Sequence, residues 1–320
     1  MNKIGVLTSG GDAPGMNAAL RAVVRAGLAN GLEVVGIERG YAGLMNGWIR
    51  PMDAKSVSGI INHGGTILRT ARSAEFKTDE GRARAYATMQ REHIDGLVVI
   101  GGDGSFRGAL ELHKATGAAV VGIPATIDND IPGTRYSIGF DTAINTAMDA
   151  IDKIRDTSAS HDRVFVVEVM GRYNGFIAVE VGLAAGAEGV IVPEVKQDLV
   201  ALTRKLQAGQ ARGKMSSIII VAEGAARGAD IAATITQISG IETRLSVLGY
   251  IQRGGSPSAR DRALATRFGH RAVELLLAGE TNVMVGIEEG RIIHVPLEQA
   301  SQGKSDLDTS LLTIVDMLSN

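Results

Sequence analysis

Short runs of apolar, mostly β-branched residues recur along this chain with amphipathic stretches between them, and that alternation narrows the possible folds more than any other feature. The clearest runs are Ile4 to Leu7, Leu32 to Ile37, Leu97 to Ile100, Val120 to Ile123, Val164 to Val169, Ile218 to Val221 and Leu245 to Ile251. A run without polar alternation fits a parallel strand covered by helices on both faces. Met16, Leu20, Val23, Val24 and Leu28 fall at helical spacing, with Pro14 near the start and Gly31 past the end as boundary signals. Ile144, Met148, Ile151 and Ile154 repeat that spacing later. The pattern predicts an α/β chain with mostly parallel sheets.

The 320 residues fit roughly two domains, because single cores stop growing at about 250–300 residues. Lys plus Arg total 33 against 35 Asp plus Glu, so no global charge favours nucleic acid or an anionic membrane. Small molecules are the expected partners. With no cysteine there is neither a disulfide framework nor a thiolate metal site. The apolar run Ile4 to Leu7 is too short for a signal segment and no later stretch reaches membrane length, so a cytoplasmic protein is expected. The 41 glycines, without a collagen period, point to many tight turns.

In open α/β sheets ligands bind beyond the carboxyl ends of the strands, so the residues after each strand hold the functional information. Thr8-Ser9-Gly10-Gly11-Asp12-Ala13-Pro14-Gly15 follows the first strand and Gly101-Gly102-Asp103-Gly104-Ser105 a later one, each leading into a helix. Glycines let backbone N–H groups approach an anion, and a helix N-terminus adds about half a positive charge. Either loop alone is equally well a tight turn. Asp103 would repel phosphate unless it held a cation, and Mg²⁺ is the hard ion that takes carboxylate, water and phosphate oxygens. Neither the dinucleotide fingerprint nor the P-loop motif occurs.

Thr126-Ile127-Asp128-Asn129-Asp130 places two carboxylates at the mouth of the Val120 to Ile123 strand. In isolation such a stretch is a polar turn. Arginines then flank later strands: Arg163 before Val164, Arg172 in Met170-Gly171-Arg172, Arg244 before Leu245, and Arg253 after Ile251. Each alone is an ordinary surface cation, but Arg172 and Arg253 beside glycine turns read as a second anion site. Glu223 offers an acceptor for a sugar hydroxyl. Two phosphate regions, a Mg²⁺ carboxylate and a spare carboxylate make up the inventory of phosphoryl transfer. Asp128 can take the proton of an attacking hydroxyl, Asp130 can help hold Mg²⁺, and Thr126 can orient the transferred group. An unperturbed Asp, with a pKa of about 3.9, is a weak base, sufficient where the proton leaves late.

The stretches IGVLTSGGDAPGMNAA, VVIGGDGS, TIDND, EVMGRYNG and GYIQRGGSP together resemble the bacterial ATP-dependent 6-phosphofructokinases, over the chain to about residue 300. The resemblance implies transfer of the ATP γ-phosphoryl group to fructose 6-phosphate by a homotetramer under the control of small phosphorylated effectors such as ADP or phosphoenolpyruvate. It implies two Rossmann-like α/β lobes of the phosphofructokinase fold, residues 1–139 plus 252–302 for ATP and 140–251 plus 303–320 for the sugar phosphate. Carried over residue by residue, Gly11, Arg72, Ser73, Gly102, Asp103, Gly104 and Ser105 would hold ATP, and Asp103 the Mg²⁺. Asp128 would be the base, acting with Thr126, Asp130 and Arg172. Thr126, Asp128, Met170, Gly171, Arg172, Glu223, Tyr250 and Arg253 would hold the sugar phosphate, with Arg163 and Arg244 supplied by a neighbouring subunit. Arg21 and Arg25, four apart on one helix face and otherwise a solvated face, would share an effector site with Arg155, Glu188, Arg212, Lys214 and Met215.

Several positions depart from the family's pattern. Ala125 stands where Gly is usual, Tyr250 where His is usual, and Ser73 and Lys77 where aromatic and Arg residues are common. Ala54, Gly59 and Met215 replace residues that allosteric members often carry as Arg, Asp and Lys, so a weak effector response is expected. Two rival readings are a diphosphate-dependent phosphofructokinase and a non-catalytic sugar-phosphate or nucleotide sensor. The first would carry Asp at 104 and Lys at 125, where this chain has Gly104 and Ala125. The second would lack Asp103 or Asp128, and both are present.

Overall fold

The computed structural model describes residues 1–159, 163–214 and 216–319. They form two compact units, Met1–Thr142 with Arg253–Ser305, and Ala143–Gln252 with Asp306–Asn320. In chain order the strands are β1 (Lys3–Thr8), β2 (Glu33–Ile37), β3 (Ile49–Met52), β4 (Gly96–Gly101), β5 (Ala119–Pro124), β6 (Val164–Val169), β7 (Gly189–Ile191), β8 (Ser217–Ala222), β9 (Thr243–Val247), β10 (Val283–Glu288) and β11 (Arg291–Pro296).

The first unit carries a seven-stranded sheet in the order β11-β10-β5-β4-β1-β2-β3. The pairings from β10 to β2 are parallel, and the edge strands β3 and β11 run antiparallel to their neighbours. Every residue of β4 is buried, which is why it reads as an unbroken apolar run. Leu7, Ile37, Leu97, Val99 and Phe106 meet in the core on one face of this sheet. From β1 the chain builds outward to β2 and β3, then returns to the other side of β1 for β4 and β5. The order therefore reverses between β1 and β4, the place where open α/β sheets form a ligand crevice.

The second unit has a parallel sheet in the order β7-β8-β6-β9. Val166, Leu206, Ile219, Val221 and Ile235 belong to its core. The expected strand from Leu245 to Ile251 is shorter than its apolar content implied: β9 ends at Val247 and a 3-10 turn spans Gly249–Arg253. Gly249, at φ 53°, takes a left-handed conformation that breaks the strand. The helix predicted after Pro14 runs Met16–Ala29, entered through Gly15 at φ 106° and left through Gly31 at φ 76°.

Candidate active site

Three loops leave the carboxyl ends of β1, β4 and β5 around the strand reversal of the first unit. Ser9 N donates to Ile100 O (2.9 Å) and Ala125 N to Gly101 O (2.9 Å), so the three loops start in fixed register. The segment before Arg72 joins them, because Thr70 Oγ1 donates to Gly10 O (2.7 Å). Buried Asn17 orders the approach to that segment, donating to His63 O and Gly64 O and accepting from Ile67 N (2.8 Å). Arg72 is exposed beyond it, and Ser73 Oγ accepts from Phe76 N (3.2 Å).

Gly102 precedes helix Asp103–Thr116 in extended conformation, which turns the first N–H groups of that helix toward the end of the sheet. Ser105 Oγ is buried there with no hydrogen-bond partner. A side chain on Gly104 would meet nothing within 4 Å, whereas one on Gly102 would come within 3.8 Å of Thr126 Cβ. The glycine loop and the carboxylate loop are thus immediate neighbours. Asp103 is half-exposed, 3.8 Å from Arg107 one helical turn on. No group of three or more His, Asp or Glu side chains suited to a metal occurs among the described residues. Asp103 fits Mg²⁺ all the same, since that ion keeps several waters and binds through one or two carboxylates plus substrate phosphate.

The carboxylate loop is set by Asn129, a residue to which the sequence alone gives no role. Asn129 is buried and left-handed at φ 53°. Its Oδ1 accepts from Ser137 N (2.8 Å) and Ser137 Oγ (3.1 Å), and its Nδ2 donates to Arg135 O (3.2 Å). Ser137 Oγ also donates to Thr126 O (2.7 Å), and Asp128 N donates to Thr126 Oγ1 (3.2 Å). Asp128 and Asp130 remain partly exposed on this frame. Ala125 is 1 % exposed and bridges to Ile138, so a long side chain at 125 would displace core packing. Just beyond, Gly139 N (3.0 Å), Thr142 N (2.8 Å) and Thr142 Oγ1 (2.5 Å) all donate to the buried Asp261 carboxylate. Burial pushes that carboxyl above its usual range, and these hydrogen bonds oppose the shift.

Arg253 also lies in this unit, donating to Asp12 Oδ1 (3.0 Å) beside Gly11. Asp12 was not singled out from sequence, although it ends the same Gly-Gly-Asp pattern as Asp103.

In the second unit the loop after β6 is shaped by side chains from other segments. Met170 N donates to Gln252 Oε1 (2.8 Å) and Arg172 N to Glu223 Oε1 (2.8 Å). Gly171 has φ 146°, and a Cβ there would lie 2.6 Å from Asn174 O. Arg172, at φ 57°, is exposed with its guanidinium over the Tyr173 ring. Gln252 is fully buried, and Gly175 N donates to Glu194 Oε1 (2.9 Å). Neither Gln252 nor Glu194 had a sequence signal beyond a polar residue among apolar neighbours and glycines. Tyr250 is 78 % exposed on the 3-10 turn.

The other arginines lie elsewhere. Arg163 Nε donates to Glu242 Oε2 (3.1 Å) and Arg244 pairs with Oε1 of the same residue, at the amino ends of β6 and β9. Arg172 and Glu223 follow the carboxyl ends of β6 and β8. Strand length alone puts about 20 Å between the two sets. Of the expected effector residues, Arg21 and Arg25 lie on helix Met16–Ala29 of the first unit and the others in the second. Buried Glu188 pairs with Lys214 (2.8 Å) and accepts from Ile218 N, Arg155 donates to Ala185 O (2.5 Å), and Arg212 caps helix Leu199–Ala211. Met215 lies outside the described residues.

Comparison with known proteins identifies the family. The family model described as phosphofructokinase matches residues 3–276. The chain is 57 % identical over 320 residues to ATP-dependent 6-phosphofructokinase 1 of Thermus thermophilus, covering 99 % of each chain. It is 56 % identical over 319 residues to the ATP-dependent 6-phosphofructokinase of Clostridium tetani, covering 100 % of each. Among solved structures, Pichia pastoris phosphofructokinase in the T-state superposes with a TM-score of 0.88 at 37 % identity, over 94 % of this chain and 35 % of that longer one. A pyrophosphate-dependent phosphofructokinase from Marinobacter aquaeolei shares the fold at 22 % identity, with a TM-score of 0.85 over 97 % of this chain and 86 % of that one. The three glycine and carboxylate loops around the strand reversal, the arginine loop after β6 and these full-length similarities place the chain in the phosphofructokinase family.

Proposed function

We propose that the chain transfers the γ-phosphoryl group of ATP to the 1-hydroxyl of fructose 6-phosphate, giving ADP and fructose 1,6-bisphosphate. The observation that carries this reading is the contact between the glycine loop at Gly102 and the carboxylate loop at Thr126. It sets a nucleotide cradle beside the Asp128 carboxylate on an internally braced loop. In the reaction the bond from Pγ to the bridging oxygen breaks as the bond from Pγ to O1 forms, and the O1 proton passes to Asp128 and then to solvent. Positioning and charge neutralisation supply most of the rate in such transfers. Gly11, Gly102, Gly104 and Ser105 receive the phosphates, with Arg72 and Ser73 beside them. Asp103, with Asp130, would hold Mg²⁺, which when bound neutralises charge on the transferred group. Thr126 orients that group, while Met170, Gly171, Arg172, Glu223, Tyr250 and Arg253 hold the sugar phosphate.

ATP rather than diphosphate is the donor in this reading, since Gly104 leaves open space beside the cradle. A coupled assay supplying fructose 6-phosphate with either donor tests it. Turnover with ATP at least tenfold faster is expected, and faster turnover with diphosphate would overturn the assignment.

Arg163 and Arg244 serve the sugar phosphate of a second copy, because they stand at the opposite end of β6 from Arg172. Leu245 and Val247 beside them are 40 % and 55 % exposed, as suits a face covered by that copy. We place the enzyme in the cytoplasm as a homotetramer, and sedimentation showing a monomer at assay concentrations would contradict the subunit assignment. No helix among the described residues is long and apolar enough to cross a membrane. With Ala54, Gly59 and Met215 in place of the usual partners, ADP and phosphoenolpyruvate should act weakly through Arg21, Arg25, Arg155, Glu188, Arg212 and Lys214. Strong sigmoidicity in fructose 6-phosphate relieved by ADP would refute this.

A further inference from the structure

A cavity of about 880 Å³ on the first unit is not formed by the glycine or carboxylate loops. Its size suits a small organic ligand, for which about 300–1,000 Å³ is usual. Three kinds of surface meet in it. The floor is apolar, built from Leu264 of helix Ala259–Leu277, Ile287 of β10, and Ile293 and Val295 of β11. Ile293 and Val295 are two residues apart and so share one face of their strand.

Three guanidinium groups stand at the walls, those of Arg135, Arg260 and Arg267. Arg260, Leu264 and Arg267 follow one another at helical spacing, so a single face of helix Ala259–Leu277 presents cation, apolar surface and cation in turn. Arg260 lies 4.0 Å from the centroid of Tyr136, and Arg135 lies 5.5 Å from the same ring. Their existing polar contacts are light. Arg260 is 3.8 Å from Asp141, and Arg267 donates to Gly290 O (3.0 Å). Exposed carboxylates of Glu288 and Glu289 complete the rim.

We infer that this cavity is a second nucleotide site, one that takes a nucleoside monophosphate. The three surfaces match the three parts of such a ligand. A phosphate would accept forked bonds from the guanidinium groups. A flat base would cover the branched side chains of the floor, and ribose hydroxyls or an exocyclic amine would donate to the glutamates. A sugar phosphate would leave the floor wet, and an uncharged heterocycle would make no use of the three guanidinium groups. The site is separate from the glycine loops and from the Arg21 and Arg25 face. It shares a wall with the catalytic frame, since Arg135 O accepts from Asn129 Nδ2 and Arg135 N donates to Ile287 O (2.8 Å).

Titration calorimetry of the full chain with AMP tests this, beside Arg267→Glu and Arg267→Gln on an exposed helix face and Ile293→Asp on the floor. Wild type should take up one AMP per chain at a site that Arg267→Glu and Ile293→Asp each weaken about tenfold or more, with Arg267→Gln intermediate. Inorganic phosphate should compete weakly and adenosine should bind less tightly than AMP. The Arg267 variants should keep wild-type kcat and KM for ATP and fructose 6-phosphate, which separates this site from the catalytic one. AMP uptake that is absent from wild type, or unchanged in both Arg267→Glu and Arg267→Gln, would overturn the inference. Because uptake is read without turnover, failure of the kinase reading would leave this result standing on its own.

Discussion

The loop Thr126–Asp130 after β5 and the loop Met170–Gly175 after β6 leave similar buried strands, yet they are held in opposite ways. The first is braced from within by buried Asn129 and Ser137, with Asp261 fixing the backbone just beyond. The second is braced from outside by Gln252, Glu223 and Glu194, the last two exposed, and it has unusual backbone at Gly171 and Arg172. An internally locked loop suits a group that must meet a reacting hydroxyl in one geometry, because small misplacements cost large factors in rate. A loop borne by neighbouring side chains can adjust when substrate arrives. Under the proposed function, the first loop would carry the chemistry and the second the sugar-phosphate recognition.

The largest effect should come from Asp128→Asn, which keeps the shape of the first loop and removes the proposed base. Turnover should fall by about 10² to 10⁴, the usual weight of general-base catalysis, and near-normal turnover would end the assignment. Gly171→Ala should strike recognition instead. Forcing a Cβ toward Asn174 O at a left-handed φ costs about 1–3 kcal/mol, so steady-state kinetics should show KM for fructose 6-phosphate raised about tenfold or more with kcat reduced less. A variant with unchanged KM and reduced kcat would erase the division between the loops.

Asn129→Ala sharpens the same contrast. It removes the side-chain partners of Ser137 N, Ser137 Oγ and Arg135 O, and such bonds are worth about 1 kcal/mol each. Calorimetry should show the melting temperature lowered by about 3–10 °C, and kinetics should show kcat lowered more than KM for fructose 6-phosphate is raised. If KM carried the whole effect, the first loop would be a binding loop.

The smallest effect is a pH dependence. Burial raises the folded-state pKa of Asp261 above its ordinary value of 3.8, so the native protein binds this proton more readily than the unfolded chain. Its contribution to stability is therefore greatest below that value and declines as pH rises through the raised pKa. Asp95 behaves oppositely: hydrogen bonds from Asn2 N and Lys3 N lower its pKa, so its contribution is present at neutral pH and lost as pH falls below 3.8. In melting curves, the advantage of wild type over Asp261→Asn should shrink as pH rises above about 4. An advantage that grew with pH would mean that hydrogen bonding outweighs burial at this site.

Much of this was legible in the sequence because buried parallel strands must be continuously apolar and anion loops must be rich in glycine. The strands at Ile4, Leu97, Val120, Val164 and Ile218, the two Gly-Gly-Asp loops and the carboxylate pair all follow from those demands. Edge strands were not legible. β3 contains Arg50 and Pro51, and β11 breaks its apolar residues with His294 and buries none of them fully, so neither carries a long apolar run. The end of β9 was misplaced because Leu248 and the turn residues Tyr250 and Ile251 continue the apolar run, the last two exposed. Asn129, Gln252 and Asp261 were read without roles for a different reason: each acts by completing backbone hydrogen bonds of a segment distant in sequence or already turned back, and a lone polar residue reveals no such partner. The place of Arg163 and Arg244 at the amino ends of their strands was visible, but its consequence depended on knowing the length and direction of β6.

Equilibrium binding of fructose 6-phosphate to Asp128→Asn, measured beside wild type, goes most directly to whether this carboxylate performs chemistry or merely holds the sugar. A base that acts on the proton in flight leaves ground-state affinity nearly untouched, so a dissociation constant within about threefold of wild type is expected alongside turnover lowered by about 10² or more. Affinity that fell in step with turnover would make Asp128 a binding group and contradict the account.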